Sequence, residues 1–298
     1  MHDEDLRVVY ESANRAECAD RALVLAAVKI PYRIIEGSGS SGLVVPAEYS
    51  AEAVEQLMQY DEENPRVAPE PPPLIHHFDP LPGLVLYALV VSFVAWAEST
   101  ALFATDWKFV GRVDGDLIRD GEWWRTITAL TLHSSFKHYA GNMLFGCLFG
   151  LFAGRLLGSG VAWLLIVVAA AIGNTANTLL LESTHRAIGA STAVFAALGL
   201  VAGFVWRGKL MKQDHWAYRA GPIVGGFALL MFTGTGGPNT DVGAHLMGFL
   251  AGLLTGILMA PFREKLNCRY RQGVSAALVL IIIAAAWALA LLNGKGAV

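Results

Sequence analysis

Charge is scarce in this chain. Only 16% of its 298 residues are Asp, Glu, Lys or Arg, while 54% are hydrophobic; a soluble domain carries about 25% charged residues. With a mean hydropathy of +0.47, this composition points to a protein that crosses a bilayer several times. The formal net charge of −3 lacks the basic footprint of a nucleic-acid binder, so no nucleic-acid partner is expected. Cysteine is nearly absent. The three present, Cys18, Cys147 and Cys268, are far apart and lack C-x-x-C spacing, so neither a disulfide framework nor a zinc site is expected. No apolar run long enough to insert precedes residue 80, and the opening "MHDEDLRVVYESANRAECAD" is acidic and polar. No secretory signal peptide is expected there.

Residues 1–62 read instead as a small soluble α+β domain. "LRVVYES" alternates like a strand, and "NRAECADRALVLAAVKI" has helical periodicity behind a capping Asn14. "PYRIIEGSGSSGLVVPAEY" reads as two strands about a Gly/Ser turn, and "SAEAVEQLMQYDEEN" as a second helix capped by Ser50. The order β-α-β-β-α resembles the small ferredoxin-like, signal-transducing-type domains attached to some bacterial membrane proteins. Residues 63–83 form a proline-rich, semi-rigid linker. Its His76 and His77 are read as solvated residues, because a metal site usually needs three or four ligands. No metal and no cofactor are expected.

Seven membrane spans follow, placed at 84–104, 134–157, 161–181, 187–206, 217–234, 242–262 and 273–292. Each is near the roughly 20 residues that cross about 30 Å of hydrocarbon. The fold expected is an all-α polytopic bundle: a six-helix membrane domain over 84–262, then a basic loop and seventh helix over 263–298. Arg207, Lys209, Lys212 and Arg219 fill the fourth-to-fifth loop, and Arg263, Lys265, Arg269 and Arg271 the sixth-to-seventh. The positive-inside rule then puts the N-terminus in the cytoplasm and the C-terminus outside, in a multi-pass protein of the cell membrane. A soluble N-terminal domain on that side offers a surface to a cytoplasmic partner. The long first loop, 105–133, has Trp107, Trp123 and Trp124, read as interfacial anchors.

Polar groups inside a membrane are costly and are functional candidates by default. In this topology spans two, four and six all start on the outer side. They bring His133, His138 and Asn142, then Ser191, then His245 to one layer. A serine hydroxyl becomes a nucleophile when a base takes its proton, and neutral histidine is the usual base. Gly189, Ala190 and Ala193 on one side, with Gly243, Gly248 and Gly252 on the other, permit close approach of spans four and six. His138 and Asn142, four apart on one helix face, suit an oxyanion site, with Asp241 as a helix cap.

Four sequence elements together resemble the rhomboid intramembrane serine proteases over about residues 81–262. They are the loop pair Trp124-Arg125, the His133…His138…Asn142 spacing, "GAST" around Ser191, and "AHLMGFLAG" around His245. The resemblance implies a Ser191–His245 dyad without an acid and an oxyanion site from His138 and Asn142. It assigns supporting roles to His133, Gly189, Phe195, Trp124 and Arg125. The activity implied is cleavage of the transmembrane segments of substrate membrane proteins near their outer ends, within the lipid bilayer. Two positions depart from the family pattern. Thr192 stands where many members have glycine, and Phe195 where many have tyrosine. The alternative reading is a non-catalytic rhomboid-like protein that binds transmembrane segments. The thin fifth span, with Gly225–Gly226, is expected to act as a lateral gate.

Overall fold

A computed structural model describes residues 5–37, 39–64, 78–180, 185–208, 220–234, 240–266 and 268–293. His76, His77, Lys209, Lys212 and Arg219 lie outside the described residues. The chain divides near residue 72 into two compact units.

In the first unit β1 (Leu6–Ser12), α1 (Arg15–Ala27), β2 (Arg33–Glu36), β3 (Ser41–Pro46) and α2 (Ser50–Glu63) follow the expected order. The sheet runs β1-β3-β2, with both pairings antiparallel. Leu43 and Val45 of the central strand pack on Ala22 and Leu25 of α1 and on Ala53 and Leu57 of α2. Asn14 caps α1, accepting the Ala16 N–H. Ser50 does not cap α2. It already lies inside the helix, and its hydroxyl donates to the Ala47 carbonyl in the preceding turn.

The second unit is a helical bundle. Among the described residues, five helices are long and apolar enough to cross a membrane: α3 (Leu81–Ser99), α7 (Phe136–Leu157), α8 (Ser159–Leu180), α11 (Val242–Met259, continuing through a short turn into α12, Arg263–Leu266) and α13 (Arg269–Asn293). Two more, α9 (Ser191–Arg207) and α10 (Gly221–Gly234), are apolar but shorter. The first span therefore sits earlier than expected. Asp79 accepts the Leu81 N–H at its start, and left-handed Ala101, Phe103 and Ala104 end it. The fourth span begins at Ser191, not 187. Residues 186–187 are drawn into a two-residue strand, and Gly189 adopts φ +148°.

The helix α9 lies at the centre, buried along almost its whole length and packed by α7, α8, α10 and α11. Its contact with α11 is a reciprocal glycine seam. A methyl on Gly252 or Gly256 would run into the carbonyl oxygens of Ala196 or Leu200, and one on Gly199 or Gly203 into those of Phe249 or Leu253. Backbones meet because side chains are missing at spacing four, the general mode of close helix contact in lipid. Across the bundle, α13 packs on α8.

The loop between α3 and α7 is built from three short helices, α4 (Trp107–Gly111), α5 (Gly115–Arg119) and α6 (Arg125–Thr128), with strand β4 (Val113–Asp114) paired to β5 (Arg186–Ala187). Arg125 is its fastener. Its guanidinium is buried, bonding Glu122 at 2.6 Å and the carbonyls of Phe109 and Arg112 at 2.9 and 3.1 Å. Trp107 is no interfacial anchor. It is buried, donates to the Leu102 carbonyl and packs on Trp287 of α13 at 4.6 Å. Trp124 joins the same apolar cluster, whereas Trp123 is exposed.

Candidate active site

The helices α7, α9 and α11 all start at one end of the bundle, and the polar side chains gather there. Ser191 is the first residue of α9 and His245 lies in the first turn of α11. With the seam holding the two helices at backbone distance, His245 Nε2 stands 2.8 Å from Ser191 Oγ. Seventeen residues of α9 rise only about 25 Å at 1.5 Å each, less than the roughly 30 Å of a bilayer core. The Phe195 ring, one turn further along α9, packs on the His245 imidazole at 4.5 Å and tilts 40° to it.

Gly189 is what lets His138 approach. A methyl there would lie 2.7 Å from His138 Cε1, 2.9 Å from His138 Nε2 and 3.2 Å from Ser191 Oγ. The imidazole of His138 and the serine oxygen thus flank one small volume that only a glycine leaves open. The tautomer follows from Ser134, whose main-chain N–H donates to His138 Nδ1 at 3.4 Å, with Ser134 Oγ 3.0 Å away. An N–H can only donate, so Nδ1 of the neutral ring accepts and Nε2 carries the hydrogen, directed at the open volume.

Asn142 lies one helical turn further along α7. It is buried, and its Nδ2 has no hydrogen-bond partner among the described residues. A buried amide donor without a partner is costly and has to be accounted for. Its main-chain carbonyl accepts the Tyr87 hydroxyl of α3 at 2.8 Å. The N–H groups in the first turn of α9, that of Ser191 among them, have no acceptor four residues back within the helix.

His133 packs edge-on against the His138 ring at 5.4 Å. Burial first, then the neighbouring His138 and Lys108, push its pKa down to about 4 against a main-chain contact to Thr131. It is therefore neutral at ordinary pH. Trp124 and Arg125 hold the loop and make no contact with the serine or imidazole. Thr192 is buried, and its methyl faces the gap at Gly248 of α11, where an added methyl would come within 2.9 Å of it. Its side chain is spent on helix packing, not on narrowing the volume beside Gly189.

Asp241 caps α11 by accepting the Ala244 N–H at 2.9 Å. It also bonds Asn177 and His185. His185, missed in the sequence, sits in an irregular segment with no period to flag it. Tyr87 was missed as well, since one tyrosine in an apolar run carries no signal of its own.

The Rhomboid domain family matches residues 120–262. The candidate rhomboid protease YdcA of Bacillus subtilis is 31% identical over 150 residues, which cover 50% of this chain and 73% of that protein. Rhomboid-like protease 1 of Toxoplasma gondii is 29% identical over 173 residues, 56% of this chain and 57% of that one. Rhomboid protease GlpG of Salmonella paratyphi A is 29% identical over 200 residues, 64% and 66% of the two chains. The chain thus spans less than two thirds of the last two relatives. It belongs to the rhomboid family, and with five long apolar helices among its described residues it is a multi-pass membrane protein.

Proposed function

We propose that this chain is an intramembrane serine endopeptidase that cuts transmembrane segments of other membrane proteins near their outer ends. The observation that carries the reading is the 2.8 Å approach of His245 Nε2 to Ser191 Oγ. His245 takes the hydroxyl proton as Ser191 Oγ attacks the scissile carbonyl. The charge that develops on the carbonyl oxygen is met by His138 Nε2–H, Asn142 Nδ2–H and the main-chain N–H of Ser191. The imidazolium then gives its proton to the departing amine, and water repeats the sequence to free Ser191 from the acyl group. Scission needs an extended strand, because a helix hides its backbone groups, so substrate segments with helix-weakening residues are favoured. The unsatisfied Asn142 donor and the open volume at Gly189 support this assignment. The packing of Thr192 against Gly248 accounts for the departure that left the non-catalytic alternative open. We further propose that the N-terminal unit is cytoplasmic, that residues 63–83 link it to the membrane domain, and that α10 is the element through which substrate enters.

The test is labelling by a fluorophosphonate probe in liposomes, paired with cleavage of a single-span substrate. Wild type is expected to be labelled and to cleave, and Ser191→Ala to do neither. Equal cleavage by the two would end the proposal.

A further inference from the structure

The segments that lead into the two catalytic helices touch each other. His185 lies six residues before Ser191, and Asp241 four before His245. His185 Nε2 is 2.8 Å from Asp241 Oδ2. A carboxylate only accepts, so Nε2 is the donor, and the 3.4 Å approach of Asn177 Nδ2 to that nitrogen is then not a hydrogen bond. The amide of Asn177 goes to Asp241 instead, at 3.1 and 3.2 Å. The Asp241 carboxylate is thus held by a side chain from α8, a side chain from the lead-in to α9, and the Ala244 N–H of its own helix. Its carbonyl oxygen accepts the His245 N–H at 3.1 Å. Any turn of this residue moves the first turn of α11, and the imidazole with it.

The other end of the contact is equally fixed. The His185 carbonyl accepts the Gly115 N–H at 3.0 Å, β5 pairs with β4, and the Gly189 N–H bonds the Ala129 carbonyl at 3.0 Å. His185 therefore sits on a strip tied to the long loop, the strip that also carries Gly189. The seam sets the distance between the axes of α9 and α11, but two helices in van der Waals contact can still slide or rotate. A fixed link at their starts removes that freedom.

We infer that His185 and Asp241 are positioning residues for the Ser191–His245 pair, a brace that locks the starts of α9 and α11 in register. This inference rests on the catalytic reading above. Neither residue touches the reacting atoms. Both act through the main chain, and a misplacement of about 1 Å can cost up to about 100-fold in rate.

The experiment measures the maximal rate and half-saturating concentration of fluorophosphonate labelling, and the deuterium exchange of amides 242–246, for the full-length chain in liposomes. His185→Ala is expected to lower the maximal rate about tenfold, with half-saturation unchanged and exchange faster. His185→Gln, whose amide can still donate to Asp241, is expected to restore both. Wild-type rate in His185→Ala would overturn the brace, as would a loss that Gln does not restore or one without faster exchange. An unlabelled wild type, or Ser191→Ala labelled equally, would overturn the catalytic reading alone. The exchange of the three proteins would then still decide whether the brace exists.

Discussion

Gly189 and Thr192 stand on either side of the Ala190–Ser191 pair, and a methyl means opposite things at the two. At 189 a side chain would meet the His138 imidazole and would also have to adopt φ +148°, which L-residues avoid. Gly189→Ala is expected to abolish fluorophosphonate labelling, a loss of about 100-fold or more, the scale of one oxyanion donor. At 192 the methyl is absorbed by the gap at Gly248. Thr192→Ala should label within about twofold of wild type, a barrier change of no more than about 0.4 kcal/mol. Near-normal labelling of Gly189→Ala would show that His138 does not work through that volume. Ser191, His245, His138 and Asn142 were legible in the sequence because cost at membrane depth singles out polar groups, whichever way they point. The direction of Thr192 was not legible, since it depends on a glycine 56 positions away.

Among the elements, α9 and α11 carry the site, and their seam depends on missing side chains. Gly252→Val would push a branched side chain into the Ala196 carbonyl. Overpacking of a tight contact costs about 1–3 kcal/mol, so thermal unfolding in detergent is expected to come earlier, with labelling lost as well. An unchanged midpoint would show that the helices can part without penalty. The loop element has its own prediction. Neutral His133, with its pKa down to about 4 against 6.5 when free, is protonated first in the unfolded chain. Stability is therefore fully present above 6.5 and declines as pH falls from there toward 4. Melting temperatures across that range should slope in wild type and flatten in His133→Gln. An equal slope in both would assign the effect elsewhere. The positions of the long helices were readable from apolar run length, except that left-handed Ala101, Phe103 and Ala104 end the first one early. The start of α9 was not, because 187–190 are as apolar as the helix that follows. A strand pairing with 113–114 and a left-handed glycine, both tertiary in origin, decide where it begins.

For the whole molecule, two periodicities in the sequence separate the N-terminal unit from the bundle. An alternating pattern and short helical repeats give way to uninterrupted apolar runs. The β-α-β-β-α order was legible that way. The cap of α2 was not, since Ser50 fits a capping pattern but lies one residue inside the helix. The role of Trp107 was also hidden. Tryptophan in a membrane-edge loop reads as an anchor until a partner on α13, 180 positions on, is seen to cover it.

That partner belongs to a helix fastened at both ends. Near its start, Gln272 donates to the Leu157 carbonyl at 2.8 Å and accepts the Val161 N–H at 3.1 Å, straddling the one-residue turn at Gly158. Near its finish, the Trp287 indole donates to Thr131 Oγ1 at 3.1 Å. Two such rivets predict that the peptide link before α13 is dispensable. Co-produced as separate polypeptides, 1–266 and 267–298 should find each other in the bilayer and co-purify. Replacing Gln272 and Trp287 by alanine should leave them apart, and recovery of an intact pair without either rivet would show that shape alone holds the seventh helix.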